Sequence, residues 1–216
     1  NLIREISTNI IYVEKLFNNK QEMEREARAL QMIRPHPNLI DVRCMDQSSI
    51  VFERGEGNLL DLVSQVNIED MTYQLIEGIR ALHAINLVHG DIKPNNIVKL
   101  GQTIKLIDFG FTGRPGEMRC GFGTRGFMAP ELNIPGCRQQ QLGPAIDWFA
   151  AGVTVYVMRA KRANPMIPIS RLLPFNADGT KKPIFGYDFV TEFINACLET
   201  NPRNRLLRVR RLVDSL

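Results

Sequence analysis

Between Val88 and Gly110 the chain reads Val-His-Gly-Asp-Ile-Lys-Pro-Asn-Asn, then two short β-branched runs around Gly101-Gln102, then Ile107-Asp108-Phe109-Gly110. Strands over 97–99 and 103–106, joined at Gly101-Gln102, would hold the two polar segments as neighbouring loops on one rigid hairpin. That placement narrows the chemistry. Asp91 can accept a hydroxyl proton, and Asn96 and Asp108 offer oxygen ligands of the kind Mg²⁺ prefers. Magnesium on a nucleotide keeps most of its coordination for water and phosphate, so one or two protein oxygens suffice. Phosphoryl transfer needs positioning and charge neutralisation more than covalent help. One Asp-Phe-Gly alone could be any turn; both segments in this order and separation are specific.

The chain has 216 residues, enough to bury a sizeable core, and its ordinary apolar content argues against disorder. Cys44, Cys120, Cys137 and Cys197 are scattered without Cys-x-x-Cys spacing, which reads as free thiols in a reducing, intracellular (cytoplasmic or nuclear) compartment. No apolar run reaches membrane-spanning length, and Asn-Leu-Ile-Arg-Glu at the start is not a signal peptide, so no membrane partner is expected. The first residue is not Met, which suggests that residues upstream of Asn1 were trimmed or left out. Net charge is a modest +4. The densest basic stretch, Arg203 to Arg211, interleaves with Leu206, Leu207, Val209 and Leu212 as an amphipathic terminal helix with a solvated basic face. A nucleic-acid or acidic-partner patch is the other reading, but no aromatic platform accompanies it and no nucleic acid is expected.

Leu2 to Ile6 and Ile10 to Phe17 read as strands about a Ser7-Thr8-Asn9 turn, and Gln21 to Ile33 as a helix ended by Arg34-Pro35. Val42 to Met45 and Ser49 to Glu53 form a hairpin across Asp46-Gln47-Ser48, after which Gly55 and Gly57 mark a hinge. Asn67 caps a long helix whose apolar stripe runs through Ile68, Met71, Leu75, Ile79 and Leu82. Pro144 to Met158 is apolar nearly all round and predicts a buried helix. Pro165 to Lys182 reads as a long irregular loop, and Tyr187 to Leu198 and Arg203 to Leu216 as closing helices.

With these motifs the chain resembles the eukaryotic-type serine/threonine protein kinases. Gly123-Thr124 with Met128-Ala129-Pro130-Glu131 resembles the end of a kinase activation segment, and Asp147-Trp148 with Gly152 the start of the long buried helix. Cys197-Leu198 with Asn201-Pro202-Arg203-Asn204-Arg205 resembles the closing motif, whose last arginine, here Arg205, pairs with the position of Glu131. The resemblance implies an α+β, two-lobed fold: a reduced β-rich N-lobe over 1–55 and a mainly helical C-lobe over 56–216.

It also implies roles. Asp91 would be the catalytic base, which mainly orients the acceptor hydroxyl and then receives its late-leaving proton. Lys93 would neutralise the migrating phosphoryl group, and Thr124 with Lys93 would shape the floor under a serine or threonine acceptor of a protein substrate. Asn96 and Asp108 would hold Mg²⁺. For ATP, Lys15 in Tyr12-Val13-Glu14-Lys15 would meet the α- and β-phosphates with Glu26 as its helix partner, although Glu22 one turn earlier leaves the register open. Phe52 would guard the back of the adenine pocket, Glu53 to Gly55 would offer main-chain hydrogen bonds, and Val13 and Val98 would sandwich the ring. His89 would pack as a spine beneath the site with Phe109, Leu30 and Val42; His36 and His83 are assigned no chemistry.

Three departures stand out. No Gly-x-Gly-x-x-Gly precedes Lys15; Gly90 stands where an arginine usually grips an activation-segment phosphate; and the stretch from Met158 to Tyr187 is too irregular for the usual substrate-side helix. Thr112 and Thr124 are the hydroxyl residues of the segment from Phe111 to Met128, so activity should not depend on activation-loop phosphorylation. Two other readings compete. One is a truncated, pseudokinase-like module that binds or inhibits a partner kinase. The other is a small-molecule kinase of the aminoglycoside or choline type, which shares His-Gly-Asp but generally lacks the Lys93, Gly-Thr and Ala-Pro-Glu positions. The sequence leaves the oligomeric state undetermined.

Overall fold

β-Branched and apolar residues open the chain as an antiparallel pair, β1 (Leu2–Arg4) and β2 (Ile11–Leu16), with Leu2 opposite Val13 and Arg4 opposite Ile11. The computed structural model describes residues 1–4, 10–132, 139–176 and 178–216, so the turn expected at Ser7-Thr8-Asn9, and Cys137, lie outside the described residues. Helix α1 (Lys20–Met32) starts where the Asn19 side chain accepts the Gln21 N–H, and it buries Met23, Ala27 and Leu30 on one face. The next hairpin is β3 (Val42–Met45) and β4 (Ser49–Glu53); the Asp46 carboxylate accepts the N–H groups of Ser48 and Ser49 and so closes its turn. The sheet order is β1-β2-β4-β3, which puts the apolar run Ile50-Val51-Phe52 in the middle.

A two-residue strand, β5 (Gly57–Asn58), leads out of this small sheet. Helix α2 (Ile68–Ala84) then begins at Asn67, whose side chain accepts from both Glu69 and Asp70 N–H. Its apolar stripe is fully enclosed: Leu75, Ile76, Ile79 and Leu82 all have 0% exposure. Burial of each such side chain contributes about 1.5–3 kcal/mol, so this helix is held by packing more than by propensity. Strands β6 (Ile97–Leu100) and β7 (Thr103–Leu106) pair about Gly101, and β5 adds to β6 to complete a three-stranded sheet. Short strands β8 (Met118–Arg119) and β9 (Gln140–Gln141) pin the following segment.

Helix α3 (Pro144–Ala163) is buried on every side from Ala145 to Val155, and α2, α5 and α6 pack around it. It runs past Met158 because its last turn finds surface partners: Arg159 pairs with Asp188 at 2.9 Å and Arg162 donates to the Val66 carbonyl. The stretch expected to be irregular contains one short helix, α4 (Ile169–Leu172). Helix α5 (Phe189–Cys197) starts after Asp188, which accepts the Thr191 N–H, and it meets α3 closely: a Cβ on Gly152 would overlap the Cys197 side chain. Helix α6 (Pro202–Val213) closes the chain behind an Asn201 cap. Among the described residues, no helix is long and apolar enough to cross a membrane.

One buried cation ties these helices together. Arg205 has 0% exposure, and each of its five N–H donors finds an acceptor. Two go to Glu131 at 2.7 and 3.1 Å, and the others to the carbonyls of Ala145, Glu199 and Thr200. Its guanidinium also lies 4.9 Å from the Phe149 ring centroid. A fully satisfied, bidentate arginine is the form in which a buried charge is tolerated.

Candidate active site

The loop from His89 to Asp91 is held from below. Asp147, in the first turn of α3 and 1% exposed, accepts the N–H of His89 at 2.8 Å and of Gly90 at 2.9 Å. The same carboxylate lies 2.9 Å from His83 Nε2 at the end of α2, so three segments meet on one side chain. Gly90 takes φ of +83°, and a Cβ there would come within 3.0 Å of the Phe111 carbonyl; glycine fits where a side chain would strain the turn. His89 is fully buried, its Nε2 3.1 Å from the Ile107 carbonyl and its ring 5.2 Å from Phe109.

Asp91 projects from this loop with only 4% exposure and a crowded carboxylate. Oδ1 accepts the Thr124 hydroxyl at 2.7 Å, while Oδ2 accepts Lys93 Nζ at 2.6 Å and Asn96 Nδ2 at 2.9 Å. Lys93 Nζ also donates to Thr124 Oγ1 at 2.7 Å. Three residues of one loop and Thr124, 33 positions after Asp91, are thereby locked in one orientation. Asn96 directs its amide nitrogen to both the carbonyl and the carboxylate of Asp91, which leaves its Oδ1 without a hydrogen bond among the described residues.

Lys15 sits opposite. Its Nζ lies 2.7 Å from Glu26 and 2.9 Å from Asp108, so the helix partner is Glu26, while Glu22 is exposed. Asp108 itself adopts φ of +65°, an uncommon backbone for a non-glycine residue and one found at functional sites. Burial lowers the Lys15 pKa, but the two carboxylates together outweigh it and hold the ammonium above its ordinary value. Burial pushes Glu26 up, and Lys15, shared with Asp108, offsets this only in part. For Asp108 burial works upward, yet the Lys15 hydrogen bond and charge keep its carboxyl below the usual range. Glu26 Oε1 is buried without a partner.

A cavity of about 480 Å³ opens between the small sheet and the β6–β7 hairpin. Its walls include Val13, Phe52 and Val98 on the apolar side, and Lys15, Asn96 and Asp108 on the polar side. Glu26, Glu53 and Gly55 also line it. Gly55 has a reason to be glycine: a Cβ would come within 2.8 Å of Val98 Cβ, closing the gap. The Glu53 carboxylate turns away to Lys105 at 2.7 Å, and its N–H donates to the Asp41 carbonyl, so bonding to a ligand from this stretch would fall to other main-chain groups up to Gly55. The volume is in the range of small-molecule sites. A free amide oxygen on Asn96 and a partly exposed carboxylate on Asp108 form a hard-oxygen pair that fits Mg²⁺, and the apolar walls fit a purine. Asp91, Lys93 and Thr124 stand at the polar end, joined to this cavity through Asn96. The His83–Asp147 contact is the structural link that sequence reading missed; its partners are 64 residues apart and no local spacing signals it.

A small sheet-rich lobe, a helical lobe and a polar cleft between them define a phosphotransferase type of architecture. The chain matches the protein kinase domain family over residues 3–212, and it belongs to that family. Death-associated protein kinase dapk-1 of Caenorhabditis elegans is 31% identical over 156 residues, covering 64% of this chain and 11% of that protein. Serine/threonine-protein kinase dkf-2 of Caenorhabditis briggsae is 28% identical over 195 residues, covering 81% and 15%. Serine/threonine-protein kinase D2 of Homo sapiens is 28% identical over 197 residues, covering 81% and 20%. The chain thus spans about a tenth to a fifth of the length of these relatives.

Proposed function

We propose that this chain transfers the γ-phosphoryl group of ATP to serine or threonine hydroxyls of protein substrates. The observation that carries this reading is the Asp91 carboxylate, gripped by Lys93, Thr124 and Asn96, with Asn96 lining the same cavity as Asp108, Lys15 and Glu26. Asp91 orients the acceptor hydroxyl and takes its proton late in the reaction. Lys93 supplies positive charge beside that oxygen, and Thr124 fixes the floor under a short aliphatic alcohol. Lys15, held by Glu26, meets phosphate oxygens of the nucleotide, and Val13 and Val98 enclose its base. Asn96 Oδ1 and Asp108 would hold Mg²⁺, whose charge would offset that of the phosphates.

Independence from activation-loop phosphorylation belongs to the same reading. Gly90 offers no cation to a segment phosphate. Thr112 is 2% exposed and donates to the His89 carbonyl, and the Thr124 hydroxyl is engaged by Asp91. Neither hydroxyl is available for modification without breaking the site.

A thermal-shift titration with Mg-ATP tests the reading, because a ligand that binds only the folded form raises the melting temperature. The parent should shift. Lys15→Ala should weaken the shift with or without metal, and Asp108→Ala should remove its Mg²⁺ dependence. No shift in the parent, or the same shift in all three, would overturn it.

A further inference from the structure

The acceptor end of the site carries positive charge that the proposed reaction leaves unused. Thr124 to Phe127 forms a tight turn, closed by the Phe127 N–H on the Thr124 carbonyl at 2.9 Å. Gly126 takes φ of +94°, as the third residue of a type II turn requires. Both ends of the turn are fixed: the Thr124 hydroxyl donates to Asp91, and Phe127 is buried. Arg125 therefore stands at the tip, one residue from the Asp91 contact. Its side chain is exposed and makes no hydrogen bond or ion pair among the described residues. Gly126 also brings a second basic stretch alongside, since a Cβ there would come within 2.9 Å of the Leu173 side chain. From Pro165 to Lys182 the chain holds Arg171, Lys181 and Lys182 against one carboxylate, Asp178, which already accepts from Thr180. Lys181 lies opposite Phe175, and the Lys182 N–H donates to the Pro174 carbonyl, so both lysines return beside Leu173. Their ammonium groups reach only neutral oxygens, Lys181 the Asn195 amide at 3.2 Å and Lys182 the Arg171 carbonyl at 3.1 Å.

Cations without carboxylate partners on one face raise the local potential, and a chain bearing carboxylates is drawn to it. We propose that this face selects acidic protein substrates, with Arg125 reading a carboxylate close in sequence to the acceptor hydroxyl, a selectivity that rests on the transfer reaction proposed at Asp91. An extended peptide advances about 3.3–3.6 Å per residue, so a side chain one or two positions from the acceptor meets Arg125. The guanidinium fork takes a carboxylate through two parallel N–H donors. Arg171, Lys181 and Lys182 extend the same field along the substrate. Arg125 is a specificity residue in this account: it touches the substrate beside the acceptor and takes no part in moving the proton or the phosphoryl group.

Serine peptides of equal length, with aspartate, asparagine or lysine flanking the serine, test this by fluorescence anisotropy and by initial rates with Mg-ATP. The aspartate peptide should bind the parent most tightly, and its advantage should shrink as ionic strength rises and screens the charges. Arg125→Ala should raise KM for that peptide about two- to fivefold, as expected for an exposed ion pair, with kcat unchanged and the asparagine peptide unaffected. Joint replacement by Arg125→Glu and Lys181→Glu should turn the preference toward the lysine peptide. Both side chains are exposed, so melting temperatures should match the parent. Equal binding of the three peptides by the parent, or an aspartate preference that survives the double replacement, would overturn the proposal. Tight binding of the aspartate peptide with no phosphate transferred would keep the acidic-peptide surface and end the kinase reading. Transfer to all three peptides with one KM would do the reverse.

Discussion

Lys15→Met replaces an ammonium with an apolar chain of similar length and leaves Glu26 enclosed with no cation. Glu26 is 1% exposed and one of its oxygens has no partner, so little beyond a main-chain contact from Phe109 would compensate its charge. An orphaned buried charge costs about 3–5 kcal/mol. Two effects reduce that figure. The Lys15 and Asp108 side chains are 36% and 41% exposed, so water screens their pair and its share is at most about 1 kcal/mol. Glu26 can also escape by taking a proton; at pH 7, for a carboxyl with an ordinary pKa of about 4.3, this costs about 3.7 kcal/mol and caps the penalty. Because burial already raises the Glu26 pKa in the parent, the expected net loss at pH 7 is about 2–3 kcal/mol. The sign with pH follows. A carboxyl whose folded pKa is raised destabilises increasingly as pH rises through its unfolded pKa, and the effect vanishes below it. Asp108, with a depressed folded pKa, gives the parent stability that is lost as pH falls. Parent and variant should therefore converge toward pH 4–5, by about 1.4 kcal/mol per unit at most. Urea unfolding at pH 7, 6 and 5 measures this from the midpoint at constant slope. Adding Glu26→Gln should recover most of the loss, because both members of the pair are then neutral. A penalty that stays constant to pH 5, or no recovery in the double variant, would show that the loss does not come from an unpaired Glu26 carboxylate.

Arg205→Ala should destabilise the chain by about 3–5 kcal/mol in urea unfolding, since it strands the Glu131 carboxylate and three carbonyls at once. Arg205→Lys should lose much of the same energy, as an ammonium cannot reproduce the bidentate contact. Gly55→Ala should weaken the Mg-ATP thermal shift more than it lowers the melting temperature, because the new Cβ meets Val98 at the cavity wall. Gly90→Ala should cost about 1–2 kcal/mol from its positive φ alone, read by the same urea midpoint.

The elements with long periodic patterns were legible in the sequence. Asn67 and the stripe from Met71 to Leu82 gave α2 its start and its buried face, and Val42–Met45 and Ser49–Glu53 paired as their alternation and turn residues implied. The two-residue pairing of Met118-Arg119 with Gln140-Gln141 was not, because so short a strand carries no periodicity and its partner is distant in sequence. Helix α4 was hidden by the prolines and glycines around it. In the site, the types of the polar residues were legible but their bonding was not. The spacing of Glu22 and Glu26 left the Lys15 partner open, and packing of α1 against the Phe109–Phe111 turn decides it by burying Glu26. His83 offered no motif, since its meaning lies in Asp147 on another helix.

Transfer of labelled γ-phosphate from Mg-ATP to a generic serine- and threonine-containing protein, with parent and Asp91→Asn compared side by side, is the most direct measurement. Phosphoserine or phosphothreonine should form with the parent, and the rate should fall about 10²–10⁴-fold in the variant, with folding preserved. Labelled product formed equally well by Asp91→Asn, or none from a parent that binds Mg-ATP, would contradict transfer at Asp91.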